Sequence, residues 1–451
     1  MTTPTSIEPT RREVPALTPP RPMIMPEVAE RTLASGLRVM VVRRAAVPLV
    51  ELRLRIPTVG EPALLAANEL LAETVLSGTA ARSNTEIAAT LQAVGGDLGS
   101  SIDADRLVFS GNCLASGLPR LLEVLGDVLT GAAYPDREVG LERDRLVDSI
   151  QVALTQPSTV ARRALLRRLY GAHPYGVELP EPAAVLAVQP DILRARHTAS
   201  VVPQGAVLVL VGDIEPEQAL DVVEQALQDW NTPGRAGAMP SAPAWSVGPW
   251  QVTHRPEAVQ SSIRLAMPAV NRAHSDYPAL QLANLIFGGY FSSRLVENIR
   301  EDKGYTYSPH SSLSHSVASS VLIVDVDVAT DVTAPALHEI NYELGRMATT
   351  TPKPEELEDV RQYAIGTMAL SVATQGGLAS WITMLVGQGL TVDWLAEHAK
   401  RLAVTSMEEV QAAAARYLAP AGAVTVILGD ADQVSESVGR LHPVEIETNP
   451  A

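Results

Sequence analysis

Gly205-Ala-Val-Leu-Val-Leu-Val-Gly212-Asp213 returns as Gly422-Ala-Val-Thr-Val-Ile-Leu-Gly429-Asp430, and 422 − 205 sets the copies 217 residues apart. Each reads as a strand that runs into a helix at the Gly-Asp turn, with the Asp near the helix N-terminus. Pro203 and Pro420 share the offset, and each follows an acidic, helix-like stretch, Asp191–His197 and Glu408–Arg416. An ordered set of matches at one spacing is the mark of a duplicated unit. Between the copies lies Asn231-Thr-Pro-Gly-Arg-Ala-Gly-Ala-Met-Pro-Ser-Ala-Pro-Ala-Trp245, too rich in Pro and Gly for a helix or a central strand. Taken as a linker over 231–246, it leaves halves at 28–230 and 247–440, a Pro-rich arm at 1–27 and a tail at 441–451.

Each half mixes strands with helices. Val50, Leu52, Leu54 and Ile56 alternate with Glu51, Arg53 and Arg55, which predicts a half-buried strand. Ser35-Gly36 punctuates two earlier extended runs as a hairpin turn would. Ser83-Asn-Thr-Glu86 is a capping box that opens a helix with Ile87, Leu91 and Val94 on one face, and Gly95 stops it. In the second half, Ile263, Leu265 and Met267, then Val324, Val326 and Val328, alternate with polar or small residues. The expected fold is α+β: two homologous half-domains in tandem, each a mostly antiparallel sheet covered on one face by helices.

Composition narrows the function. The 451 residues are 46% hydrophobic and 19% charged, ordinary for a globular protein, with a net charge of −16. That balance argues against nucleic acid or an anionic membrane as partner. No apolar run nears the roughly 20 residues of a membrane span. Met1–Pro26 holds seven prolines and no continuous apolar segment, so it reads as a disordered or draped arm, not a signal peptide. The single cysteine, Cys113, excludes an internal disulfide and a thiolate zinc site, and it follows an apolar strand as a buried, inert thiol would. None of the nine histidines has the i, i+4 spacing of a helical zinc pair; the nearest, His310 and His315, are five apart. A phosphate-binding loop and a Gly-x-Ser-x-Gly elbow are absent.

Thr32-Leu-Ala-Ser-Gly36-Leu-Arg-Val39, Gly78-Thr79 with the capped helix and Gly95-Gly96, Glu142-Arg143, and His173-Pro174-Tyr175-Gly176 follow one another in an order that resembles the zinc metallopeptidases of the pitrilysin and mitochondrial-processing-peptidase type, the inverzincins. The strongest match is Phe287-Gly-Gly-Tyr-Phe-Ser-Ser-Arg-Leu295 followed by Ile299-Arg300-Glu-Asp-Lys-Gly304-Tyr-Thr-Tyr307-Ser308. That family holds zinc with H-x-x-E-H and a distant Glu. Counted back from Gly78-Thr79, this chain has Glu69 and Glu73 in the histidine places and Ala72 in place of the general base. Seven residues after Glu142, which would open the third-ligand helix, the ligand place holds Ser149. An all-oxygen set of Glu69, Glu73 and Glu142 would suit a hard cation, but two carboxylates at i, i+4 read more simply as a solvated helix face.

The resemblance implies a division of labour. Arg300, in the last turn of a helix whose apolar face is Leu295, Val296 and Ile299, and Tyr307, on the strand that follows, correspond to the family's pair that reaches a zinc site to hold the substrate carbonyl and the developing oxyanion. Gly288 and Gly289 match a glycine-rich loop that touches substrate, or else form a helix C-cap with permissive φ. His173–Gly176 and the two Gly-Asp turns read as structural. A chain with the Arg/Tyr half and no zinc half resembles the non-catalytic subunit of a bacterial heterodimeric peptidase. Its expected partners are a zinc-bearing homologous subunit and an unstructured peptide, with zinc in the partner and no cofactor in this chain, and its expected place is the cytoplasm. Leader-peptide removal and general peptide turnover both suit such a complex. The other readings are a scaffold subunit without peptidase activity, which has no need of Arg300 and Tyr307, and a peptide-binding homodimer.

Overall fold

The computed structural model describes residues 22–235 and 237–448, so most of the expected arm, at 1–21, and the last three residues of the expected tail lie outside it. The first sheet contains β1 (Ala29–Thr32), β2 (Arg38–Arg43), β3 (Leu49–Pro57), β4 (Asp97–Ile102), β5 (Arg106–Leu114) and β6 (Val207–Gly212), in the order β1-β2-β6-β3-β5-β4. The second contains β7 (Trp250–His254), β8 (Gln260–Pro268), β9 (His310–His315), β10 (Ser320–Ala329), β11 (Val424–Gly429) and β12 (Val444–Glu447), in the order β12-β7-β11-β8-β10-β9. The inner strands follow the same path in both, and the repeated sequences are the equivalent strands β6 and β11. The two sheets differ at one edge. In the first, β1 precedes β2 in a hairpin whose turn places Gly36 at φ +88°. In the second, β12 runs parallel to β7 and comes from the stretch expected to be a tail.

Local signals act as their chemistry dictates. Val50, Leu52, Leu54 and Ile56 are fully buried on one face of β3. The Ser83 hydroxyl accepts the Glu86 N–H while the Glu86 carboxylate accepts the Ser83 N–H. Asp325 and Asp327 on the polar face of β10 both pair with the buried Arg264 of β8.

Each sheet is covered by its own helices on one face, as expected, and the structure adds cover on the other. Leu378, Ala379 and Ile382, from the helix Gln375–Gly387 of the second half, pack on Met40, Val42, Val207, Val209 and Val211 of the first sheet. Reciprocally, Ala164, Leu165, Leu169 and Tyr170, from the helix Pro157–Tyr170 of the first half, pack on Ala266, Val321, Ile323, Val424 and Val426 of the second sheet. The exchange explains why β6 and β11 are apolar at nearly every position: both of their faces are buried. Gln375 reinforces it by donating to the backbone carbonyls of Arg44 and Val47.

A polar clamp joins the equivalent hairpin tips. The Tyr175 hydroxyl donates to Asp105 Oδ1 (2.6 Å) at the β4–β5 turn and accepts the Ala318 N–H (3.1 Å) at the β9–β10 turn. Asp105 Oδ2 accepts the Val317 N–H (3.0 Å). His173–Gly176 is thus the structural turn it was read to be, and it reaches across both halves. The linker lies along this junction, with Ala242 and Trp245 packed against the exchanged helix and the Pro240 carbonyl bonded to His173 Nε2.

Truncation of a leucine or isoleucine in a close-packed core costs about 2–5 kcal/mol. Leu165→Ala and Ile382→Ala should each lower the stability of the whole chain by that amount in urea titrations, although each alters a helix covering the opposite half's sheet.

Candidate functional site

The helix Leu65–Thr74 carries the positions that correspond to the family's metal motif. Glu69 is half-buried against the space between the halves, Ala72 is buried, and Glu73 is exposed. The Ala72 carbonyl accepts the Ser100 hydroxyl (2.6 Å), which ties this helix to β4, the free edge of the first sheet. The expected third-ligand helix spans Asp136–Thr155, so Glu142 lies nearly two turns inside it and does not open it. Glu142 pairs with Arg145 (3.4 Å), and the exposed Ser149 donates to the Leu146 carbonyl. Glu69, Glu73 and Glu142 do not converge into a cluster able to ligate a metal among the described residues. With no imidazole or thiolate, these positions do not fit zinc.

One cluster does converge, His254, Asp430 and Asp432, and its bonds are those of a helix start. His254 Nδ1 accepts the Ala431 N–H, and Asp430 caps the helix Ala431–Gly439 by accepting the Asp432 N–H.

Arg300 and Tyr307 are brought together. Leu295, Val296 and Ile299 are buried, as the expected helix face requires. The segment Glu297–Asp302 is a π-helix, and Gly304 at φ +65° turns the chain away from it. Tyr307 is not on the strand as expected but three residues before it, in a bend that frees its ring, which is 80% exposed. The Arg300 guanidinium lies 4.8 Å from the Tyr307 ring centroid and 5.0 Å from that of Phe291, itself 67% exposed. Glu301 pairs with Arg300 Nε (3.2 Å). The two aromatic faces hold the cation by cation–π attraction while leaving it within reach of solvent. Phe291 belongs to the Phe287–Leu295 motif, but no sequence spacing ties it to Arg300, nine residues away.

Gly288 is buried and Gly289 half-buried. Neither has a positive φ; close approach is what requires them. A Cβ on Gly288 would stand 2.8 Å from Ser311 Oγ of β9, and one on Gly289 2.7 Å from Asn284 Nδ2. Cys113 is buried, and that burial pushes its thiol up to about 11, which keeps it an unreactive thiol. His310 and His315 lie on opposite faces of β9, five residues apart on a strand. No single helix among the described residues is long and apolar enough to cross a membrane.

Residues 67–183 match the family model described as "Insulinase (Peptidase family M16)", and residues 187–363 match "Peptidase M16 inactive domain". An uncharacterized zinc protease of Streptomyces coelicolor is 24% identical over 375 residues, 81% of each chain. The mitochondrial-processing peptidase subunit alpha of Solanum tuberosum is 23% identical over 228 residues, 51% of this chain and 45% of that one. The crystal structure of a peptidase M16 inactive domain from Pseudomonas fluorescens superposes with a TM-score of 0.81 at 22% identity, covering 89% of this chain and 98% of the other.

Glu69 offers a direct check on the remodelled helix. Burial, then the negative charges of Glu73 and Asp103, raise its carboxyl from the ordinary 4.5 to about 7. The folded chain therefore binds this proton more tightly than the unfolded chain, and stability falls as pH rises from about 4.5 to about 7. Glu69→Gln should remove that loss. The variant should be more stable than the parent by about 1–3 kcal/mol near pH 8 and match it near pH 4 in denaturant titrations.

Proposed function

Since the chain belongs to peptidase family M16, the insulinase family, we propose that it is the non-catalytic subunit of a two-chain zinc metallopeptidase. The observation that carries this reading is one of contrast. Where the family's motif needs histidines and a base, this chain has Glu69, Ala72 and Glu73; where it needs Arg and Tyr, this chain presents both, stacked together, with the Tyr307 ring open to solvent. A fold has no need of its own to hold a half-buried guanidinium between two exposed aromatic rings at the surface.

In this reading a homologous subunit supplies the metal and the base, and an unstructured peptide lies between the two chains. The peptide joins a free sheet edge of the partner, whose main-chain hydrogen bonds accept many sequences. Arg300 then offers a permanently charged donor to the scissile carbonyl, and Tyr307 a directional O–H to the oxygen on which charge develops. Phe291 and Tyr307 hold the guanidinium in place, so less of its freedom is lost when substrate arrives. Gly288 and Gly289 shape the loop that brings Phe291 to this surface.

The chain should be mixed with a zinc-bearing M16 homologue and assayed on an unstructured peptide. Cleavage is expected only in the mixture. Arg300→Ala and Tyr307→Phe should each lower its kcat by about 10²–10³, the cost of losing one oxyanion donor. Chelator-sensitive cleavage by this chain alone, or full activity of the mixture with Arg300→Ala, would overturn the proposal.

A further inference from the structure

Between the halves lies a cavity of about 410 Å³, walled by β3, the helix Leu65–Thr74, both hairpin tips and the end of the helix Gln375–Gly387. Most of the charged groups on its wall are already matched. Arg106 Nε pairs with Asp103 (3.0 Å), and Arg162 Nε with Glu178 (2.7 Å). Both Asp105 oxygens serve the clamp at Tyr175 and Val317.

Two charged groups are not matched, and the buried His315 Nε2 on the same wall also has no hydrogen-bond partner among the described residues. Arg55, on β3, is only 7% exposed, yet its guanidinium makes no hydrogen bond or ion pair among the described residues, and its Nε is fully enclosed. It sits against Gly387, where a Cβ would come within 2.6 Å of Arg55 Nε. Glu69 lines the same cavity and likewise has no hydrogen bond or ion pair among the described residues. The two do not pair with each other. A buried guanidinium without an acceptor is costly, and so is a half-buried carboxylate without a donor. One ligand with an anionic end and a cationic end satisfies both.

We propose that this cavity binds a small zwitterion, a free amino acid or short peptide with both termini free, its carboxylate on Arg55 and its ammonium toward Glu69. A guanidinium fork suits a carboxylate. A dianion such as phosphate is disfavoured, because one unmatched guanidinium faces a wall that also carries Glu69, Asp103, Asp105 and Glu178. Because the wall comes from both halves, the ligand would tie them together beside the Tyr175 clamp. The site is separate from Arg300 and Tyr307, and its occupancy does not depend on a partner subunit.

The test is calorimetric titration of the full chain alone with glycylglycine, acetate, ethylamine, and glycylglycine blocked at both ends. Glycylglycine should bind, and the other three should bind at least about 10-fold more weakly, as expected when a hydrogen bond to a charged group is lost. Arg55→Gln should weaken glycylglycine by about 10- to 100-fold. Arg55→Lys, which keeps the charge and loses the fork, serves if that variant does not fold, and should weaken it in the same direction. Glu69→Gln should bring glycylglycine down to the affinity of acetate. The proposal is overturned if glycylglycine gives no binding at millimolar concentration, if the blocked peptide or acetate binds as well, or if the Arg55 or Glu69 variants bind like the parent.

Discussion

Each sheet in this chain has a second apolar face that its own half leaves bare, and each half carries one helix that the other sheet needs. Ile382 and its neighbours on the first sheet, and Leu165 and its neighbours on the second, therefore form two cores that exist only when the halves are docked. The clamp at Tyr175 and the cavity beside it depend on that docking. Arg300, Tyr307 and Phe291 lie outside both of these shared cores, on a surface of the second half.

The chemistry of the candidate site follows from what was removed and what was kept. At the positions the resemblance gives to metal ligands, Glu69 and Glu73 lie on the helix Leu65–Thr74, one carboxylate toward the cavity and the other toward water, and Ser149 lies exposed on the helix Asp136–Thr155. The second half carries an Arg and a Tyr whose placement comes from their surroundings. Ile299 anchors the π-helix in the core, Gly304 ends it, and Phe291 flanks the guanidinium. In the proposed complex these groups would act only opposite a complementary surface.

Much of the fold was legible because its signals are local. The alternation in β3, the Ser83–Glu86 box and the repeated Gly-Asp turns each depend on residues within a few positions of one another, where sequence spacing maps directly to geometry. The fully apolar Val207–Gly212 run carried a hint of the second layer, since a strand with one wet face alternates. What could not be read was the identity of the cover. The pattern Ala164, Leu165, Leu169 gives a helix an apolar face but does not say which sheet it meets. The Asp105 contact with Val317 joins residues 212 positions apart, and no spacing rule reaches that far. Tyr307 was misplaced because β-propensity favours a strand for Tyr-Thr-Tyr, while the backbone after Gly304 bends before pairing begins at His310. The strand Val444–Glu447 was missed because four residues in a terminal stretch are too short a run to stand out.

The unlike edges of the two sheets give the chain a direction in time. During synthesis the outer strand of the first sheet emerges first and pairs at once with its neighbour through a short hairpin. The outer strand of the second sheet is made after the other five strands of that sheet, and until then β7 presents an open row of backbone donors and acceptors. Loss of the Val444–Glu447 strand alone would leave a nearly complete polypeptide with a sticky border, so the integrity of this sheet rests on four residues.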